Sequence, residues 1–224
     1  MRNEERYNLG KKIRREVVGG EYDDVIENLE SDFSQPIRDW TTENVWGTVW
    51  ADDLFMSAPY LMRMALVTGD RKYFDDAAQQ VVRFNKYLLD KKTGLYRHGW
   101  YDIDKRQASV SWGRANGWVI WATSEVLRFL PESHPLRTGI VNIYRNHLKA
   151  LVSYQASSGL WHQVLDRPDS YEETSCTAMY LIGMARGIRS GILDSSFVGP
   201  MKKAWTGLQS RISSDGIVKD ICRG

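Results

Sequence analysis

The apolar positions fall into six helical stretches separated by short polar turns. Positions 54–66 read as one helix and 73–89 as another, with a turn at Thr68-Gly69-Asp70 between them. The second carries Phe74, Ala77, Ala78, Val81, Val82, Phe84, Tyr87 and Leu88 at helical spacing. The pattern recurs with helices over 119–130 and 140–154, joined at 131–135. It recurs again over 178–188 and 198–212, joined at Ser190-Gly191. Each pair closes on a glycine and a short extended segment: Gly94-Leu95-Tyr96, Gly159-Leu160-Trp161 and Gly216-Ile217-Val218. Glycine supplies the positive φ needed after a helix. Repeated antiparallel helix pairs with like connections predict an all-α stack of hairpins. An open solenoid and a closed toroid fit this periodicity equally well.

The first 45 residues carry a weaker pattern. Leu9, Ile13 and Val17 are four apart, which predicts a solvated, weakly amphipathic helix over 2–18 that Gly19-Gly20 ends. A second short helix is expected over 22–29, and a turn or helix start at Ser34-Gln35-Pro36. The expected division is an N-terminal helical segment, 1–45, and a helical-hairpin domain, 46–224.

Composition narrows the function. At 224 residues the chain can bury one sizeable core. Thirty basic residues against 28 acidic ones give a net charge of +2, with no concentrated basic face, which argues against nucleic acid. Cys176 and Cys222 are far apart and show no metal-type or CxxC spacing, so a reducing compartment is expected and neither cofactor nor metal. There is no secretory h-region and no apolar run of bilayer length, so the expected location is cytoplasmic and no membrane partner is expected.

Candidate chemistry lies where charge meets large aromatics. Val49-Trp50-Ala51-Asp52-Asp53-Leu54-Phe55-Met56 and Ser111-Trp112-Gly113-Arg114-Ala115-Asn116-Gly117-Trp118 each lie just before an apolar helical run. A carboxylate can transfer a proton, a guanidinium can hold an anionic group in its fork, and indoles can stack on sugar rings. By connectivity Asp52, Arg114 and Glu173 precede the first helix of each pair and share one rim. His98, His162 and Asp220, just after the closing glycines, emerge on that same rim. Each His also has an ordinary reading as a surface or capping residue. His134 and His147 read as structural, as does Glu173, which looks like a helix N-cap.

These blocks, with Arg97-His98-Gly99-Trp100 and Tyr171-Glu172-Glu173-Thr174-Ser175-Cys176-Thr177-Ala178-Met179, resemble in their order the signature blocks of the unsaturated rhamnogalacturonyl hydrolases, glycoside hydrolase family 105. Relatives are the unsaturated glucuronyl hydrolases of family 88. The resemblance covers about 40–224 and implies an (α/α)6 barrel, choosing the toroid over the solenoid. It implies hydration of the C4–C5 double bond of an unsaturated uronic acid at the non-reducing end of a lyase-cut pectin oligosaccharide. Asp52 matches the family's acid. Trp50, Asp53, His98, Arg114 and Trp118 are the implied substrate-binding residues, with Arg114 on the uronate carboxylate. Asp53 is a second candidate acid, and its ordinary reading is a first-turn residue facing the helix dipole.

The chain departs from the family pattern ahead of Asp52. An acidic residue that contributes to the family's site has no match, and Thr41 and Thr42 stand where some members carry a His. At most four helix pairs are countable, so the barrel is expected to be incomplete, and either to self-associate through its open edges or to have its first 45 or so residues pack over one of them and disable catalysis. Two other readings stand beside the hydrolase. One is an inactive carbohydrate-binding or assembly module of the same fold. The other is a sugar epimerase relying on His98 and His162.

Overall fold

A computed structural model of the chain describes residues 4–18, 48–102 and 104–223. The helix expected over 22–29 and the turn at 34–36 lie outside these residues. Helix α1 spans Glu4–Val18. Three helix pairs follow: α2 (Ala51–Thr68) with α3 (Arg71–Leu88), α4 (Gly113–Phe129) with α5 (Arg137–Ser153), and α6 (Thr174–Arg189) with α7 (Val198–Gln209). The first members pack on one another in the order α2, α4, α6 and form an inner row. The second members lie outside them. This is the all-α hairpin architecture expected from the periodicity.

Short strands edge one end of the inner row. β1 (Thr48–Trp50), β2 (Gly99–Tyr101) and β3 (Arg106–Gln107) form an antiparallel sheet in that order, and β4 (Trp161–His162) pairs with β5 (Glu172–Glu173). The segments after Gly94 and Gly159 thus pair with those entering α2 and α6, whereas Val218, after Gly216, bridges back to Ile212. The three closing glycines adopt positive φ, as expected.

The inner helices approach closely because small residues face one another. A Cβ at Gly117 would fall 2.6 Å from Met179 Sδ, and one at Gly183 would fall 2.3 Å from Ile120 Cγ2. At the opposite end from the strands, the buried Glu125 of α4 takes Arg63 of α2 at 2.8 Å and Arg186 of α6 at 2.7 Å. The carboxylate cannot be left unpaired at that depth, so it ties all three inner helices together. The outer row is anchored in the same core: Trp161 is fully buried and donates its indole N–H to the Leu151 carbonyl at 2.6 Å.

Two expectations are corrected. The inner helices begin at Ala51, Gly113 and Thr174, several residues before the apolar period starts. Asp52 and Arg114 therefore lie inside the first helical turn. Helix α1 is docked rather than fully solvated: Tyr7 and Ile13 are buried, and α1 packs on α3.

Large apolar side chains remain exposed at both ends of the row. Met56, Tyr60 and Val67 lie along one side of α2 with 73%, 63% and 83% of their surface exposed. Trp205 of α7 and Ile217 beyond it are 52% and 59% exposed. No helix among the described residues is long and apolar enough to cross a membrane.

The closing turns seat against the next outer helix. A Cβ at Gly94 would lie 2.8 Å from Ala150 Cβ on α5, and one at Gly159 would lie 2.2 Å from the Lys203 carbonyl on α7. Gly159 (φ 93°) and the helix-ending Gly69 (φ 70°) both need the left-handed region, but Gly69 has nothing within 4 Å of a Cβ. Gly69→Ala is expected to cost about 1–2 kcal/mol for the conformation alone. Gly159→Ala is expected to cost a further ~1–3 kcal/mol from the close approach. Urea unfolding of both variants checks this, and equal losses would refute the tight seating of the turn on α7.

Candidate active site

The site forms where β2 delivers His98 to the start of α2. In the β1–β2 ladder Trp50 faces Gly99, and the Ala51 N–H donates to the His98 carbonyl at 2.9 Å. Gly99 keeps that approach close: a Cβ there would lie 3.1 Å from the Trp50 ring, tighter than ordinary contact. This register sets His98 Nε2 at 2.9 Å from Asp52 Oδ2. The imidazole lies edge-on between two indoles, with ring centroids 4.8 Å from Trp50 and 4.7 Å from Trp112. Both members of the pair keep a route to solvent, with 37% of the Asp52 side chain and 28% of the His98 side chain exposed. A carboxyl and an imidazole at this distance are within hydrogen-bonding reach, and the indoles restrict the ring's rotation.

The other expected residues fall around this pair with different roles. Asp53 accepts the Trp50 backbone N–H at 2.9 Å, which caps the first turn of α2. It is open to solvent on one side. Desolvation by its surroundings on the other raises its pKa, with the Asp52 charge adding to this and the Trp50 amide opposing it. Its observed contacts are thus those of a capping residue. Trp118 lies over Phe55 of α2 at 4.4 Å, with the planes inclined at 31°. One indole face is therefore already in use.

Arg114 makes no ion pair or hydrogen bond among the described residues, and its Nε is buried without a partner. The indole nitrogen of Trp112 is buried and unpartnered as well. Buried donors are rarely left unpaired, and these two lie two residues apart at the start of α4. Helix electrostatics point the same way. The inner helices run parallel and bring their positive N-terminal ends to one rim. Asp52 and Asp53 occupy the first turn of α2. At α6 the buried Glu173 caps the amides of Ser175 and Cys176 at 2.6 and 2.8 Å, in the N-cap role read from the sequence. The first turn of α4 holds no acidic residue. Its positive N-terminus thus has no acidic side chain of its own beside Arg114.

His162 and Asp220 reach the rim but are held within their own units. His162 Nδ1 is 2.6 Å from the Ser170 carbonyl, and Asp220 pairs with Arg211 at 2.7 Å. The partner of His98 is thus a carboxylate and not the second imidazole that an epimerase would use. His134 and His147 are buried, in keeping with structural roles.

Sequence reading left Trp112 and Asn116 without roles. Asn116 is fully buried, and its amide takes four partners: the Tyr96 N–H at 2.8 Å, the Tyr96 carbonyl at 2.9 Å, the Trp112 carbonyl at 3.0 Å and His147 Nε2 at 2.9 Å. An Asn midway along a Trp-bracketed motif is a signal, but its partners are 20 and 31 residues away.

The chain is similar to known proteins in both sequence and fold. The family model described as Glycosyl Hydrolase Family 88 matches residues 22–224. The unsaturated rhamnogalacturonyl hydrolase YesR of Bacillus subtilis (strain 168) is 33% identical over 178 residues, covering 78% of this chain and 49% of that one. An unsaturated 3S-rhamnoglycuronyl hydrolase of Alteromonas sp. (strain LOR) is 31% identical over 175 residues, covering 75% and 42%. Among solved structures, a glycoside hydrolase from family 105 of C. acetobutylicum ATCC 824 superposes with a TM-score of 0.72 at 30% identity, covering 78% of this chain and 53% of that one. A possible GH105 member from Salmonella enterica serovar Paratyphi A superposes at 0.75 over 98% of this chain and 73% of that one, and at 23% identity it bears on the fold alone. The chain spans about half the length of the curated relatives it matches.

The buried His147 gives a pH test of the network behind the site. Desolvation lowers its pKa from 6.5 to about 3. The folded ring stays neutral where the unfolded ring charges, so its contribution is fully present above pH 6.5 and is lost as pH falls toward about 3. The slope is at most ~1.4 kcal/mol per pH unit. His147→Phe removes that proton uptake. The variant is expected to be less stable than wild type at pH 7.5, with the gap closing by pH 4.5. Urea titrations at the two pH values check it, and a constant gap would refute it.

Proposed function

The chain belongs to glycosyl hydrolase family 88, and from that premise we propose that this site hydrates the C4–C5 double bond of an unsaturated uronic acid at the non-reducing end of a short oligosaccharide. Pectin fragments cut by a lyase, of the rhamnogalacturonan type, are the substrate class. The observation that carries the reading is the Asp52–His98 contact, solvent-accessible and bounded by two indoles.

In this mechanism Asp52 starts protonated and delivers its proton to C4. Water adds to C5 and returns a proton to the Asp52 carboxylate, which restores the acid. The hemiketal at C5 opens, and the aglycone leaves with the former glycosidic oxygen. One carboxyl thus serves as acid and then as base. His98 holds Asp52 in the orientation both transfers need. Arg114 and the N-terminus of α4 receive the uronate carboxylate, which the guanidinium fork matches in shape. Trp50 and Trp118 bound the sugar ring. The intact Asp52–His98 pair favours an enzyme over an inactive binding module.

The two charged residues have separable signatures. Asp52→Asn is expected to reduce kcat by at least ~10²–10⁴-fold while the variant still unfolds cooperatively. Arg114→Ala is expected to act mainly through KM, and a methyl-esterified uronide should lose affinity for wild type but far less for that variant. Loss of absorbance of the unsaturated uronate on a lyase digest reads both. Near-wild-type turnover by Asp52→Asn would remove the assignment, as would an equal ester penalty in both proteins for Arg114.

The same reading extends to assembly. The exposed apolar side chains on α2 and around α7 lie at the two ends of the inner row. Such faces usually mark interfaces, and we propose that the chain self-associates through them. Light scattering at low micromolar concentration is expected to give a mass above 25.8 kDa. A sharp monomer would refute this.

A further inference from the structure

We propose that Asn116, braced by His147 from the outer row, is the positioning residue that sets His98 against Asp52. The argument rests on where the four bonds of the Asn116 amide go. Two hold both backbone groups of Tyr96, as a neighbouring strand would. A third holds the carbonyl of Trp112, which starts α4. Tyr96 is two residues before His98, and Trp112 is the indole that packs against the His98 ring. One side chain therefore fixes the strand that carries the imidazole and the wall it leans on.

The Tyr96 N–H decides the orientation of that amide, and with it the tautomer of His147. Asn116 Oδ1 accepts from Tyr96 N–H and faces His147 Nε2, so the imidazole donates through Nε2. His147 Nδ1 is then a bare acceptor, and it is buried without a partner. A group that leaves one of its own atoms unsatisfied at full burial is a poor choice for stability alone. Its position is explained by the bond it donates. Turning the amide over would set its N–H groups against the Tyr96 N–H and its oxygen against the Tyr96 carbonyl.

The proposal deepens the hydration reading and rests on it for the kinetic test. Asn116→Ala and His147→Phe are each expected to lower kcat by about 10–100-fold with a smaller change in KM, the scale expected when a reacting group is displaced. His147→Phe keeps an aromatic ring against Tyr96, which packs at 4.5 Å, and remains usable if Asn116→Ala does not fold. The decisive comparison repeats both in a His98→Ala background. If Asn116 acts through His98, each then changes the residual kcat by less than about twofold, while its effect on stability persists. Losses that multiply across the two backgrounds would show a merely structural role and overturn the proposal.

A second readout needs no turnover. The His98 ring protons lie in the shielding fields of Trp50 and Trp112, and either variant is expected to shift their NMR resonances. Unchanged His98 resonances would overturn the proposal. If wild type fails to consume unsaturated disaccharide, the hydration reading falls while the spectra still decide the role of Asn116.

Discussion

The close, parallel packing of three inner helices is the constraint on which the rest depends. Gly117 against Met179 and Gly183 against Ile120 let α4 and α6 approach closely, while Glu125 binds α2, α4 and α6 at the far end through Arg63 and Arg186. Helices held this way cannot splay, so their first turns share one rim. Larger side chains at those glycines would force the axes apart, and the first turns would no longer meet across the width of a sugar.

The rim is differentiated by how each helix start is satisfied. One start carries carboxyls, one is closed by a buried Glu, and one is left positive beside an arginine that has no partner among the described residues. The proposed substrate, with an alkene to protonate and a carboxylate to hold, matches this division. The supporting shell is as specific as the rim. The strand bearing His98 is held by Ala51 through its own carbonyl and by Asn116 two residues earlier. The Asn116 amide is in turn fixed from an outer helix by His147.

Most of the architecture was legible in the sequence. Six apolar helical stretches and three closing glycines specify the hairpins, because burial of one helix face is a local pattern. The starts of the inner helices were not legible. Asp52, Asp53, Gly113, Arg114, Asn116 and Gly117 break the apolar period there, yet the chain stays helical because those side chains serve the rim, a cap or a neighbouring helix. The site motifs stood out by composition, whereas the contact between Asp52 and His98 is a fact of the fold. Arg114 was marked by its chemistry, whereas its lack of a partner among the described residues is likewise a fact of the fold. Asn116 was passed over since a buried amide is recognised only by its partners, and these come from three separate segments. The docking of α1 was missed for a related reason: its apolar stripe is too thin to read as a buried face.

The seating of the closing turns gives the repeat a direction. The turn after α3 is covered by α5 and the turn after α5 by α7, whereas a Cβ at Gly216, after α7, would meet nothing within 4 Å. The first two hairpins are thus each completed by the outer helix of the next. Undocking of α5 or α7 strips the cover from the turn before it, so amide exchange at those two turns reports local opening of the neighbouring pair and not of the hairpin that carries the turn.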